Sequence, residues 1–291
     1  MKVLCFGSLN YDYVYQVDHH VTPGETLSST DMQVHIGGKG LNQAVAISKT
    51  GIHPYLAGLI GDDGHTFLDI CAEHGIKTDC MGKVRGKSGH AIIQVDTEGQ
   101  NCILLYGGSN RMITREYVDS VLERFAEGDL LVLQNEINMP DYVIDKAYER
   151  GLEILLNPSP FNYMMEVCAL DKVSYFMVNQ VEGQQLTGET EPEAIIGRMA
   201  ALFPDAITVL TLGKDGALCF DGGRVLSQKA YPVEAVDTTA AGDTFTGYFV
   251  YGLASGMDMP HILDLCARAA SIAVTRRGAA MSIPELDRVI C

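Results

Sequence analysis

Leu130-Leu131-Val132-Leu133-Gln134, then Asp141–Arg150 closed by Gly151, then Glu153-Ile154-Leu155-Leu156, is the stretch that decides how this chain is read. Its first and last runs are short, apolar and unbroken, the pattern of strands buried on both faces. The middle run has helical spacing and stops at a glycine, a C-cap signal. Strand, helix and strand in that order make a crossover unit, and crossover units join parallel strands.

The alternation extends both ways. Upstream, Val3–Phe6 and Tyr55–Ile60 read as strands, and Leu41–Lys49, Gly64–Glu73 and Thr114–Phe125 as helices. Downstream, Phe176–Val178 and Ile207–Leu212 read as strands and Pro192–Leu202 as a helix; helices over Ala241–Ser255 and Pro260–Thr275 close the chain. The pattern predicts an α/β fold, a doubly wound, mainly parallel sheet with helices on both faces. Two regions break it. Asp12–Val17 and Asp31–His35 alternate, and Ala91–Val95 and Cys102–Leu105 flank a turn over Asp96–Gln100. Such half-polar strands suit a small sheet with one open face. Excursions at about 12–36 and 88–106 are expected to form a lid over a cleft, within one domain spanning 1–291.

With 291 residues, 47% of them hydrophobic, the chain can bury a sizeable core, which excludes disorder as its main state. Lys+Arg 21 against Asp+Glu 37 gives a net charge of −16 and argues against a nucleic-acid or anionic-membrane partner. Anions can still be held locally, at a helix N-terminus or by a few lysines. Apolar runs such as Leu130–Leu133 fall far short of the ~18–20 residues of a membrane helix. Met1–Leu9 breaks at Gly7-Ser8 and lacks the apolar core of a signal peptide. Eight scattered cysteines without a C-x-x-C spacing are expected to be reduced, structural thiols of a cytoplasmic protein.

Four segments carry possible chemistry, each with a plainer alternative. Gly37-Gly38-Lys39-Gly40-Leu41-Asn42-Gln43-Ala44 puts glycines before a helix, where backbone N–H groups can approach a ligand; it could equally be a turn. In Asp237–Phe245, the N–H groups of residues 240–243 are expected to form an anion hole, with Asp243 beside it able to take a proton from a hydroxyl. The alternative is that Asp243 only caps its helix. Thr211–Gly216 ends a parallel strand, where ligands of open α/β sheets sit, or is an ordinary strand-end turn. Asn179-Gln180-Val181-Glu182 can organise water around a metal, or simply starts a helix. Gly82–Ser88 looks like a P-loop but is one residue short and leads into Ala91–Val95, not a helix, so that reading is rejected.

Together these segments resemble the ribokinase-like (PfkB) family of carbohydrate kinases. The likeness runs from Gly7-Ser8-Leu9-Asn10-Tyr11-Asp12 through Pro23-Gly24-Glu25-Thr26, residues 37–42, Asn157-Pro158 and residues 179–182 to residues 237–245 and 273–279. It implies substrate contacts from Asn10, Asp12, Gly38, Lys39, Asn42 and Glu136. It implies Asp243 as catalytic base, an anion hole at Ala240, Ala241 and Gly242, and nucleotide contacts from Asn179, Thr211, Gly213, Gly216 and Ala267. Glu182 would act on Mg²⁺ indirectly. K⁺ would be held by Asp237, Thr239, Ala273, Arg276, Gly278 and Ser282, chiefly through carbonyls apart from Asp237 and Ser282. Ala267 departs from the polar residue frequent in the family, and Gln134-Asn135-Glu136 from the usual Gln-Leu-Glu.

The implied activity is ATP-dependent phosphorylation of a primary sugar hydroxyl, that of ribose first, by a homodimer joined through its lids. Tyr11, Tyr13, Val14, Tyr15, Ile93 and Val95 are the candidates for that contact or for the sugar side. An aspartate that bridges neighbouring hydroxyls suits a cis-diol, and no arginine cluster awaits a substrate phosphate. Kinases of fructose, a sugar phosphate or a nucleoside stay open, as does a sugar sensor without catalysis. A dinucleotide oxidoreductase would need G-x-G-x-x-G after the first strand, which Gly7-Ser8-Leu9-Asn10 lacks.

Overall fold

The computed structural model describes residues 1–290. In chain order the elements are β1 (Val3–Phe6), β2 (Asn10–Gln16), β3 (Asp31–Gly37), α1 (Lys39–Ser48), β4 (Tyr55–Ile60), α2 (His65–Glu73), β5 (Lys77–Lys83), β6 (Gly89–Val95) and β7 (Asn101–Tyr106). There follow α3 (Arg115–Leu122), β8 (Leu130–Gln134), α4 (Pro140–Glu149), β9 (Glu153–Asn157), β10 (Tyr175–Asn179), α5 (Gln180–Thr187), α6 (Pro192–Leu202) and β11 (Ile207–Thr211). The last are β12 (Ala217–Asp221), β13 (Arg224–Gln228), α7 (Ala241–Ala254) and α8 (Met259–Val274).

Nine strands form one sheet in the order β13-β12-β11-β10-β9-β8-β1-β4-β5. From β11 to β5 every neighbouring pair is parallel; β12 and β13 complete that edge antiparallel. The unbroken apolar runs have a simple cause. Val3 and Cys5 of β1 enter the core beneath α1, α7 and α8, while Leu4 and Phe6 enter the core beneath α3, α4 and α6. β8 divides the same way, Leu130 and Val132 against Leu131 and Leu133. α1 and α7 cross closely because Gly247 has no side chain: a Cβ there would lie 2.4 Å from the Ala46 Cβ. That close crossing brings the first turns of both helices to the carboxyl edge of the sheet, where the site lies.

Three elements escaped the sequence reading, β5, β12 and β13, and α5 entered it only as the helix start offered at Asn179–Glu182. The edge strands β5 and β13 mix polar with apolar residues because one side of each has no strand to pair with. The P-loop look-alike begins inside β5 and continues to β6, as its rejection required.

The second sheet has four strands in the order β3-β2-β6-β7, built from the two expected excursions. Asp96 closes the β6–β7 hairpin, its carboxylate accepting the N–H groups of Glu98 and Gln100 at 2.9 Å each. One expectation is corrected. Tyr11 is no candidate for an outer contact: it is buried, its ring lies 4.5 Å from that of Phe67, and its hydroxyl donates to the Asp63 carbonyl at 2.7 Å. The apolar side chains that this sheet exposes are Met32, Val34, Ile92, Ile103, Leu104, Leu105 and Tyr106. Among the described residues no helix is long and apolar enough to cross a membrane.

Candidate active site

The site begins where β1 meets α1. A Cβ on Gly40 would lie 2.6 Å from the Gly7 carbonyl carbon, so the helix start can press against the strand end. Gly38, at φ 94°, turns the chain into the helix, and a Cβ there would lie 2.7 Å from the Ser8 carbonyl oxygen. The turn presents Lys39 and Asn42 to the cleft.

Asp243 is buried in the first turn of α7 and does not cap it. Its Oδ2 accepts Asn42 Nδ2 at 3.1 Å and its Oδ1 accepts Gln43 Nε2 at 2.9 Å, both from α1. The capping alternative is thereby excluded. Ala240 precedes the helix at φ 60°, one of two non-glycine residues with positive φ among those described. Around this left-handed turn the N–H groups of Ala240, Gly242 and Asp243 donate to no acceptor among the described residues. The expectation for Ala241 is corrected: its N–H donates to the Thr238 carbonyl at 3.2 Å. The tight turn consumes that donor, and three N–H groups remain for an anion.

Beside this lie the other charged groups. Glu136, just past β8, accepts the Ser8 hydroxyl and, at 3.1 Å, the Lys39 N–H. Asp12 on β2 is half-buried and accepts no hydrogen bond from a described residue; burial and the nearby Glu136 push its carboxyl up to about 6. Burial works to lower the Lys39 ammonium, but Asp243, Glu136 and Glu182 outweigh it and hold it above the usual lysine value. Asn10 is buried, with Oδ1 accepting Asn110 Nδ2 at 2.8 Å.

Two adjoining cavities share Thr211, Thr238, Ala241 and Gly242. One, of about 200 Å³, is polar, and Lys39, Asn157, Asn179, Glu182 and Asp243 reach it. The other, of about 310 Å³, takes in Gly213, Gly216, Tyr231, Val233 and Ala267 and is mainly apolar. Tyr231 is fixed from behind. Its hydroxyl donates to Asp264 at 2.5 Å and accepts Arg268 Nε at 3.1 Å. Asn179 and Glu182 do start a helix, as a reciprocal capping box, and they also line the polar cavity.

Comparison with known proteins bears on what this geometry serves. Residues 1–286 match the pfkB family of carbohydrate kinases. The chain belongs to that family. Among its kinases, the ribokinase of Bacillus subtilis (strain 168) is 35% identical over 297 residues, 99% of this chain and 98% of its own. A ribokinase from Cryptococcus neoformans var. grubii serotype A, solved in complex with ADP, matches with a TM-score of 0.87 at 31% identity, over 99% of this chain and 98% of that one. An Arabidopsis thaliana ribokinase complexed with ribose and ATP matches with a TM-score of 0.84 at 29% identity, over 99% and 97%.

In this carbohydrate kinase the loop expected to hold a cation is tied at one point. Asp237 accepts the N–H of Thr239 through Oδ1 and that of Gly278 through Oδ2, both at 2.9 Å. Burial raises its carboxyl, yet these bonds outweigh burial and hold it below the usual aspartate value. The carbonyls of Thr239, Arg276 and Gly278 accept no hydrogen bond from a described residue. The Ala273 carbonyl accepts the Arg276 N–H at 3.1 Å, and the Ser282 hydroxyl donates to the Ala279 carbonyl at 2.9 Å. Asp237, Thr239 and Gly278 are thus joined directly, whereas Ser282 and Ala273 sit in turns of their own. The sequence reading gave no role to Ser8, Gln43, Asn110, Gln134 or Tyr231. A signal existed for Gln43, a polar residue followed at once by Ala44-Val45-Ala46-Ile47 in a buried helix.

Proposed function

We propose that this protein transfers the γ-phosphoryl group of ATP to the primary hydroxyl of ribose, giving ribose 5-phosphate and ADP. The observation that carries the reading is the position of Asp243, at the polar cavity and next to the free N–H groups of Ala240 and Gly242. Phosphoryl transfer needs alignment and charge neutralisation more than covalent chemistry. In this reading Asp243 takes the hydroxyl proton, the free N–H groups receive phosphate oxygens, and Lys39 adds positive charge. Asp12, a half-buried carboxylate without a donor, accepts two neighbouring sugar hydroxyls. Asn10, Gly38, Asn42 and Glu136 complete the sugar contacts. Among the described residues Lys39 is the one cation on the polar cavity, which favours an unphosphorylated sugar over a sugar phosphate.

The apolar cavity takes the adenine, against Tyr231 and Ala267, with Thr211, Gly213 and Gly216 at its rim and Asn179 toward the phosphates. Mg²⁺, when bound, neutralises those phosphates. Both Glu182 oxygens accept from Asn179, so this donor set suits a role through water. K⁺ suits the cluster of free carbonyls around Asp237, where it would brace the anion-hole loop, with Ala273 and Ser282 contributing from the flanking turns. The four-stranded sheet acts as the lid of a single domain, and its exposed apolar face pairs with a second copy. The seven described cysteines are unpaired, which supports a cytoplasmic setting.

The test is ADP release from ATP with a panel of sugars. Ribose is expected to lead, with higher rates in K⁺ than in Na⁺ at equal ionic strength and a dimer in sedimentation. Tenfold preference for fructose 6-phosphate or a nucleoside would overturn the ribose assignment.

A further inference from the structure

Gln43 on α1 and Gln134 at the end of β8 are 1% and 0% exposed and lie 91 residues apart in sequence. Gln43 Nε2 donates to Asp243 Oδ1 at 2.9 Å, and Gln134 Nε2 donates to Gln43 Oε1 at 2.6 Å. An ionised carboxylate can only accept. Gln43 must therefore turn its NH₂ to Asp243 and its oxygen to Gln134, and Gln134 must answer with its own NH₂. This order has a cost. Gln134 Oε1 is left buried without a donor, an arrangement that packing alone would not favour over two apolar side chains. The molecule also keeps room for it, because a Cβ on Gly7 would lie 2.0 Å from that oxygen.

Asn42 differs from Gln43. Its Nδ2 donates to Asp243 Oδ2 at 3.1 Å, but no second side chain locks it, and its Oδ1 is also unpaired. Asn42 is thus held by one side-chain hydrogen bond and Gln43 by two.

We infer that Gln134 and Gln43 form a two-amide relay that fixes Asp243 through Oδ1 and leaves Oδ2 as the atom that accepts the proton. This rests on the reading of Asp243 as the base. In the step, the hydroxyl oxygen bonds the γ-phosphorus, the bond from phosphorus to the ADP oxygen breaks, and the hydroxyl proton passes to Oδ2. Gln43 and Gln134 touch neither substrate nor reacting atoms. They are positioning residues.

Methionine at either position keeps volume and removes the hydrogen bonds. Gln43→Met is expected to lower kcat about 10–100-fold, the scale of a misplaced reacting group, with KM for ribose and ATP within about threefold. Gln134→Met acts through Gln43, so it should lower kcat less, by about 3–10-fold, again without moving KM. The double variant should be no worse than Gln43→Met alone, because the relay is already cut. Wild-type kcat in Gln43→Met, losses confined to KM, or losses that multiply in the double variant would overturn the relay. If Gln43→Met does not fold, Gln134→Met decides alone by the same split between kcat and KM. Asp243→Asn separates the two levels. If it stays active, the base reading itself fails; if it is inactive while Gln43→Met is unimpaired, only the relay fails.

Discussion

At one end of the cleft Lys39, Glu182 and Asp243 bring charged groups to a cavity of about 200 Å³, with Asp12 and Glu136 close to one another nearby. At the other, Ala230, Pro232, Val233, Ala267 and Ala270 line about 310 Å³ in which Lys214 is the one charged side chain among the described residues. The charged end depends on orientation: its carboxylates act only at set angles and distances, which amides and backbone N–H groups impose. The apolar end depends on area and shape, with Tyr231 clamped by Asp264 and Arg268 as a planar wall beside Phe245. Changes at the first end should therefore appear in kcat and in sugar recognition, and changes at the second in the KM for nucleotide.

The largest expected effect lies at the polar end. Asp243→Asn should lower kcat roughly 10²–10⁴-fold, the scale of general base catalysis, while ribose binding by calorimetry changes little. Activity within threefold of wild type would remove the base and with it the contrast between the two ends.

Asp12 supplies a pH test of the same end. Its carboxyl is raised to about 6 from an ordinary 3.8, so the folded protein binds more protons than the unfolded chain between those values. Its contribution to stability is complete below the lower value and is lost as pH rises through the upper one. A sugar diol that binds the ionised form reverses the preference. kcat/KM for ribose should then fall about tenfold per pH unit below the Asp12 pKa, and Asp12→Asn should remove that limb. The ribose-induced rise in Tm should be larger at about pH 7.5 than at about pH 5. A profile flat from pH 5 to 7.5 would separate Asp12 from the sugar.

A smaller effect is expected at the apolar end. Tyr231→Ala should raise the KM for ATP by about 5–20-fold, the loss of one buried aromatic wall, and leave the KM for ribose unchanged. A fall in kcat alone would mean that this end also orients the reaction. The smallest effect concerns the joint between them. Ala240 at φ 60° pays for its left-handed turn, and Ala240→Gly should raise stability by about 0.5–1 kcal/mol in a denaturant titration. Destabilisation would mean that the turn is held by the Ala240 side chain.

Much of this was legible in the chain. Strands that divide their residues between two cores, such as β1 and β8, leave unbroken apolar runs that cannot be confused with polar loops. β12 and β13 were missed because an antiparallel pair at one edge has no crossover helix to announce it. The glycine signatures marked the helix starts at residues 38–42 and 240–243, since tight turns leave a compositional trace. The partners of Asp243 left almost none. Gln43 and Gln134 look like ordinary polar residues until two elements far apart in sequence are laid side by side. The lost Ala241 donor was hidden for a related reason: it depends on the backbone angle of Ala240, and alanine does not advertise a left-handed turn.

The most direct test of the account is product analysis of a reaction holding only the protein, ATP, Mg²⁺, K⁺ and ribose, followed by ³¹P NMR. The account predicts one ADP formed per ribose 5-phosphate, with no ADP formed when ribose is left out. No phosphorylated ribose, phosphate on the anomeric hydroxyl, or ADP release that ignores the sugar would contradict it.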